Sequence, residues 1–158
     1  MKKIALMAIL LTVVGGVALA QGRTGGNVGI GLIFGEPSGL SLKVWTSRTV
    51  AFDAAAAWSF VNGGSFQVHG DLLFHSFDLF RAERGRMALY YGFGGRFRTA
   101  RNNVVDDKAT LSFRVPVGIS YEFENTPFEL FFEVVPMLDL IPATEAAIGG
   151  GMGFRYYF

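Results

Sequence analysis

Residues 145–158 read EAAIGGGMGFRYYF, and every second residue taken back from the last is apolar or glycine: Phe158, Tyr156, Phe154, Met152, Gly150, Ile148 and Ala146. Between them stand Tyr157, Arg155, Gly153, Gly151, Gly149, Ala147 and Glu145, small residues mixed with charges of both signs. A period of two marks a β-strand, whose side chains point alternately to opposite faces. The alternation outlasts the common strand length of about 5–6 residues, and its apolar face ends in a cluster of rings.

The rest of the chain repeats this design. Val28, Ile30, Leu32 and Phe34 alternate with Asn27, Gly29 and Gly31, then Leu40, Leu42 and Val44 with Ser41, Lys43 and Trp45. Val50, Phe52, Ala54, Ala56 and Trp58 oppose Ala51, Asp53, Ala55 and Ala57, and Phe66, Val68, Gly70 and Leu72 oppose Gln67, His69 and Asp71. Met87 to Arg98, Leu111 to Phe123 and Phe128 to Val135 carry three more strands of the same kind. Gly, Pro and Asn punctuate the links near positions 35–39 and 62–64. The expectation is an all-β fold, an antiparallel up-and-down transmembrane β-barrel of about eight strands. Its lumen should be filled by its own side chains, since eight strands leave an interior about that wide. Pro116 falls in mid-strand and Pro136 near a strand end, and both lack the ladder N–H, so a bulge or break is expected at each.

The charges sort onto one parity. Lys43, Arg96, Arg98, Arg114 and Arg155 share it with Asp53, Asp71, Glu122, Glu129 and Glu133, and His69 joins them. A soluble barrel with its rings inside and a membrane barrel with its rings outside both produce such alternation. Three features favour the membrane. First, the charged parity is rich in Gly (Gly29, Gly31, Gly92, Gly94, Gly118, Gly149, Gly151, Gly153), which a crowded lumen needs and a solvent face does not. Second, Phe34, Trp58, Phe60, Phe123, Phe128, Tyr156 and Phe158 gather at strand ends, where interfacial girdles form. Third, the strands reach the about 9–11 residues needed to cross. The register is then forced, because each lipid-facing Arg or Lys near the midplane costs about 2–4 kcal/mol.

Composition narrows the field further. The chain has 158 residues, a formal net charge of +1 and no cysteine. Near-neutral charge argues against nucleic acid as a partner, and without cysteine there can be no disulfide or thiolate site. Lys2 and Lys3, an apolar run over 4–17 and Ala18-Leu19-Ala20 before Gln21 read as a cleaved secretory signal peptide over 1–20. Residues 21–158 then form one barrel domain.

In this pattern the chain resembles the small OmpA/OmpX-like outer-membrane β-barrels. The ending GFRYYF, with Phe154, Tyr156 and Phe158 on alternate positions, is similar to the terminal signal that the outer-membrane assembly machinery reads in that class. The resemblance implies a Gram-negative-type outer membrane, membrane lipid and that machinery as partners, and both termini in the periplasm. It implies no particular activity. A monomer without cofactor is expected.

His69, Asp71 and His75 share one face of one strand, but spread along about 20 Å they converge poorly on a metal whose ligands must lie about 2 Å away. A hydrogen-bonded lumen network is the expected role. Lipid A deacylases, barrels with a catalytic His and Ser, resemble His-x-Ser along one side of a strand. Here His75 and Ser76 are adjacent and face opposite ways, so the motif is absent. No enzyme is expected, and the function class is a structural or surface-interaction barrel without a large pore. Its surface contacts would come from links at 35–39, 61–64, 99–109 and 139–144, with Arg101, Asp106, Asp107 and Lys108 in the longest. The alternatives are a small ion or water channel along the charged lumen and a soluble periplasmic, lipocalin-like carrier of an apolar ligand.

Overall fold

The computed structural model describes residues 25–35, 38–59, 65–79, 84–100 and 108–158. The signal-peptide reading, Phe60, Arg101, Asp106 and Asp107 lie outside them. Nine strands follow one another: β1 (Val28–Gly35), β2 (Ser38–Trp45), β3 (Val50–Ser59), β4 (Ser65–Ser76), β5 (Arg86–Ala100), β6 (Lys108–Arg114), β7 (Val117–Glu122), β8 (Phe128–Ile141) and β9 (Glu145–Tyr157). Each pairs antiparallel with its neighbours, and β1 pairs with β9, so the sheet closes into a ring. Closure leaves no edge strand to be blunted or covered.

The nine elements fill eight places, because β6 and β7 both lie between β5 and β8. They are one strand interrupted at Pro116. The register runs through the gap unchanged: Arg114 pairs with Met137 and Val117 with Val134 on one side, Arg114 with Gly94 and Val117 with Tyr91 on the other. The interruption is thus one of hydrogen bonding alone. Pro136 breaks the ladder on one side only: it pairs with Ile148 of β9 as a regular position, but toward β6 and β7 it faces the gap, where neither ladder includes it. Its outward carbonyl still accepts from Val115 N at 3.0 Å, and only the returning N–H is missing. The irregularity of this wall lies higher, between Leu111 and Ser112.

Three strands outrun the expected limits. β5 and β6 extend to the pair Ala100 and Lys108, so Lys108 belongs to the ladder, and the link spans 101–107 instead of 99–109. β8 continues to Ile141, which moves Asp139 from a link into the barrel wall. Conversely, β1 and β2 have 8 residues each, short of the expected crossing length.

The faces sort as alternation requires. Every strand sends large apolar residues outward, among them Ile30, Leu42, Phe52, Phe66, Phe93, Phe113, Ile119, Phe132 and Met152, all exposed. Lys43, Asp53, Asp71, Arg96, Arg114, Glu129, Glu133 and Arg155 are buried inside the ring. At the end holding the C-terminus and the start of β1, Phe128, Tyr156 and Phe158 stack edge to face at 5.1 and 4.9 Å, and Tyr121 meets Phe123 likewise at 4.9 Å. The opposite end carries the exposed Phe34, Trp58 and Phe66.

Glycine makes this interior possible. Tyr157 lies opposite Gly29, Tyr90 opposite Gly118 and Phe131 opposite Gly153. A Cβ on those three glycines would lie 2.7, 2.6 and 2.6 Å from the facing ring. Each bulky lumen ring leans across the ladder into the space its partner leaves.

Candidate functional site

Among the described residues, the fold gathers its buried polar chemistry in the lumen network. Near the terminus-side end, Trp45 Nε1 donates to Tyr157 Oη at 3.1 Å, and the Tyr157 hydroxyl donates to Glu129 Oε2. Lys43 Nζ reaches Glu129 Oε1 at 2.8 Å and sits 4.5 Å from the centre of the Trp45 ring. Four strands meet there, because β2, β8 and β9 curl round the axis and β4 adds His75, whose ring lies 4.3 Å from that of Trp45.

One layer up, Arg155 is the hub. Its Nη2 donates to Asp53 Oδ2 at 2.7 Å, Nη1 to Glu129 Oε1 at 3.3 Å and Nε to Ser41 Oγ at 2.9 Å, while its guanidinium lies 3.8 Å above the Phe131 ring. The planar fork suits Arg to this place, since it can satisfy several acceptors at once and stack as well. Arg114 bridges the next level. Its Nη2 donates to Glu133 Oε1 at 3.3 Å, and Glu133 Oε2 accepts from Tyr90 Oη at 3.1 Å. Arg114 Nε lies 3.1 Å from Asp71 Oδ2, close enough for an ion pair, although the N–H does not aim at it.

Toward the loop side the network thins. Arg96 Nη2 donates to Asp139 Oδ1 and to Ser112 Oγ, both at 3.0 Å, and the Ser112 hydroxyl donates to the same carboxylate. His69 Nε2 stands 4.0 Å from Asp71 Oδ2. A cavity of about 40 Å³ opens among Gln67, His69, Arg96, Arg114, Glu133 and Met137. That is room for a few waters at about 10–15 Å³ each. Gln67 Oε1 and His69 Nδ1, both buried, have no hydrogen-bond partner among the described residues.

Two of the charges read from the sequence as lumen members stand apart. Arg98 has the inward parity but is exposed beyond the buried layers, at the rim where the ladder leaves the packed core. Glu122 closes the opposite end, with its Oε2 3.7 Å from Arg86 Nη1 and away from the central pairs. Phe154, Tyr156 and Phe158 all face outward. Asp139, Ser112, Ser41, Tyr90, Trp45 and Tyr157 are members that the charge pattern missed. All but Asp139 shared the inward parity on strands that were recognised, and uncharged polar groups simply carry a weaker signal. Asp139 was hidden by ending β8 at its proline.

No family model matches the chain, and no curated protein matches it. Among solved structures it is similar to the N-terminal β-barrel domain of Pseudomonas aeruginosa OprF. The TM-score is 0.61 at 15% sequence identity, over 85% of this chain and all of that domain. At that identity the likeness establishes the fold: an all-β antiparallel ring of the outer-membrane β-barrel kind.

Proposed function

We propose that this chain is an outer-membrane β-barrel with a structural or surface-interaction role and no large pore, inserted by the assembly machinery through its Phe154, Tyr156 and Phe158 face. The observation that carries the reading is the inversion of its surface. Large apolar side chains are exposed on all nine strands while Lys43, Glu129 and Arg155 are at most 1% exposed. A monomeric soluble protein rarely exposes apolar patches beyond a few hundred Å², and a lipid phase removes that cost. A soluble carrier would need a roomy apolar interior, whereas here ion pairs and the Trp45, Tyr90, Phe131 and Tyr157 rings packed among them occupy the inside. The reading gives His69, Asp71 and His75 positions in the lumen packing and no catalytic role.

A small channel is the second reading, favoured by the loop-side cavity and its unpartnered Gln67 and His69 atoms. Against it, ions would have to pass the Trp45, Tyr157, Glu129 and Lys43 cluster, whose members are all 4% exposed or less. The protein folded into planar bilayers is expected to give no porin-sized conductance steps. Sustained steps would overturn the closed-lumen reading. Electrophoresis of the membrane fraction with and without boiling tests the barrel itself: a faster unheated band supports it, and a heat-independent species in the soluble fraction overturns it.

A further inference from the structure

The lumen spends its small residues in two ways. Toward the terminus-side end, Tyr157 fills the place beside Gly29 and Phe131 the place beside Gly153. At the level of Gln67 and His69 the neighbouring positions are small as well, with Ala57 and Ala55 across the ladder and Gly149 and Gly150 on β9. There the side chain that leans toward Gly149 is the narrow, flexible Met137. The cavity of about 40 Å³ lies in the space that remains. Above it the inward residues Ser65, Arg98, Thr110, Asp139 and Ala147 are all partly or fully exposed, so solvent reaches its mouth. Below it Tyr90, Arg114 and Glu133 are at most 4% exposed and hydrogen-bonded to one another, so they form a floor.

The polar wall decides what can enter. Gln67 and His69, 8% and 9% exposed, border the cavity, and Gln67 Oε1 and His69 Nδ1 have no hydrogen-bond partner among the described residues. Gln67 Oε1 can only accept. With its hydrogen on Nε2, which faces Asp71 Oδ2 at 4.0 Å, the His69 ring presents Nδ1 as a second acceptor. The guanidinium groups of Arg96 and Arg114 supply donors to the same space. An occupant must therefore donate to two acceptors and accept from a cation. A metal ion has no hydrogen to donate and would sit against two guanidinium groups, and a simple anion can only accept. Water meets both demands, and the cavity has room for it.

We propose that the loop-side half of the lumen is a blind water well. A few water molecules held by Gln67 and His69 exchange with the loop-side medium and stop at the floor of Tyr90, Arg114 and Glu133. The proposal deepens the closed-lumen reading and rests on it, and the test separates the two. The full chain is folded into phosphatidylcholine vesicles, hydroxyl radicals are made from water by a short X-ray pulse, and oxidised side chains are mapped by mass spectrometry. Met137 and His69 should be oxidised faster than Trp45 and Tyr157, although indole and phenol rings are intrinsically the more reactive. Gln67→Leu removes one acceptor at similar volume. It should lower the His69 rate about fivefold, the weight of one ordinary hydrogen bond in an equilibrium constant, with heat-modifiable migration unchanged. Equal protection of Met137, His69, Trp45 and Tyr157 would overturn the well and leave the closed barrel standing. Equal oxidation of all four would show water passing the floor and overturn the closed lumen itself. An unchanged His69 rate in Gln67→Leu would remove Gln67 as a water ligand, and oxidation of the outward Met152 as fast as Met137 would overturn the membrane-barrel reading first.

Discussion

The two halves of the lumen are built from the same residue types and differ in how tightly they are tied. In the terminus-side half, Lys43, Asp53, Glu129 and Arg155 interlock with Trp45, Tyr157 and Ser41 across strands far apart in sequence, and no member is more than 4% exposed. In the loop-side half, Arg96 leans on Asp139, whose side chain is 21% exposed, Arg98 is exposed, and Gln67 and His69 border a cavity. The contrast assigns different work to the two ends. One seals and registers the barrel, and the other tolerates water and change, as befits the end that carries the links to the cell exterior in the proposed topology.

The sharpest way to break this contrast is to remove the central cation of each half. Arg155→Met strands Asp53 as a buried carboxylate without its ion-pair partner and leaves Glu129 only Lys43 and Tyr157, and is expected to cost about 3–5 kcal/mol in urea unfolding of vesicle-folded protein. Arg96→Met leaves Asp139 in reach of water and should cost about 1 kcal/mol or less. Equal losses would mean that the halves are not distinct.

A second pair compares the inner and outer faces. Gly29→Val would push a side chain into the Tyr157 ring, which already lies 2.7 Å from a Cβ placed there, and is expected to cost about 1–3 kcal/mol as overpacking. Gly95→Val on the outer face meets nothing nearer than Ser112 O at 3.8 Å, so its stability should stay within about 0.5 kcal/mol of the parent. Destabilisation by Gly95→Val as large as that by Gly29→Val would show that backbone strain, and not ring packing, governs these glycines.

The smallest expected effect is at the interrupted wall. Pro116→Ala and Pro136→Ala each return one ladder donor, worth about 0.5–1.5 kcal/mol, against about 0.4–1 kcal/mol lost through a freer unfolded chain. Net stability should change by less than about 1 kcal/mol, while hydrogen exchange at the Val115 amide should slow. Faster exchange there would mean that the prolines hold the wall in register.

Much of this is legible in the sequence. A period of two within each segment between Val28 and Tyr157 dictates long antiparallel strands, and the gathering of Lys43, Asp53, Asp71, Arg114, Glu129, Glu133 and Arg155 on one parity dictates a common face. Pro116 was correctly suspect, because the missing N–H is a local property. Pro136 was suspect for the same reason, and its break shows only toward β6 and β7, where its N–H would have met Val115, while the ladder continues past it on the β9 side.

What the sequence determined by itself was therefore which residues travel together, since side-chain parity is a property of each strand alone. Only the tertiary structure decided which of them meet. Lys43 and Glu129 are 86 residues apart, Trp45 and Tyr157 are 112 apart, and the stagger with which β1 closes on β9 sets the level at which each side chain enters the lumen. Hydrogen-bond register, which runs across strands while alternation is written only along them, likewise decided which outward side chains adjoin, as Met152 adjoins Phe34 and Phe132.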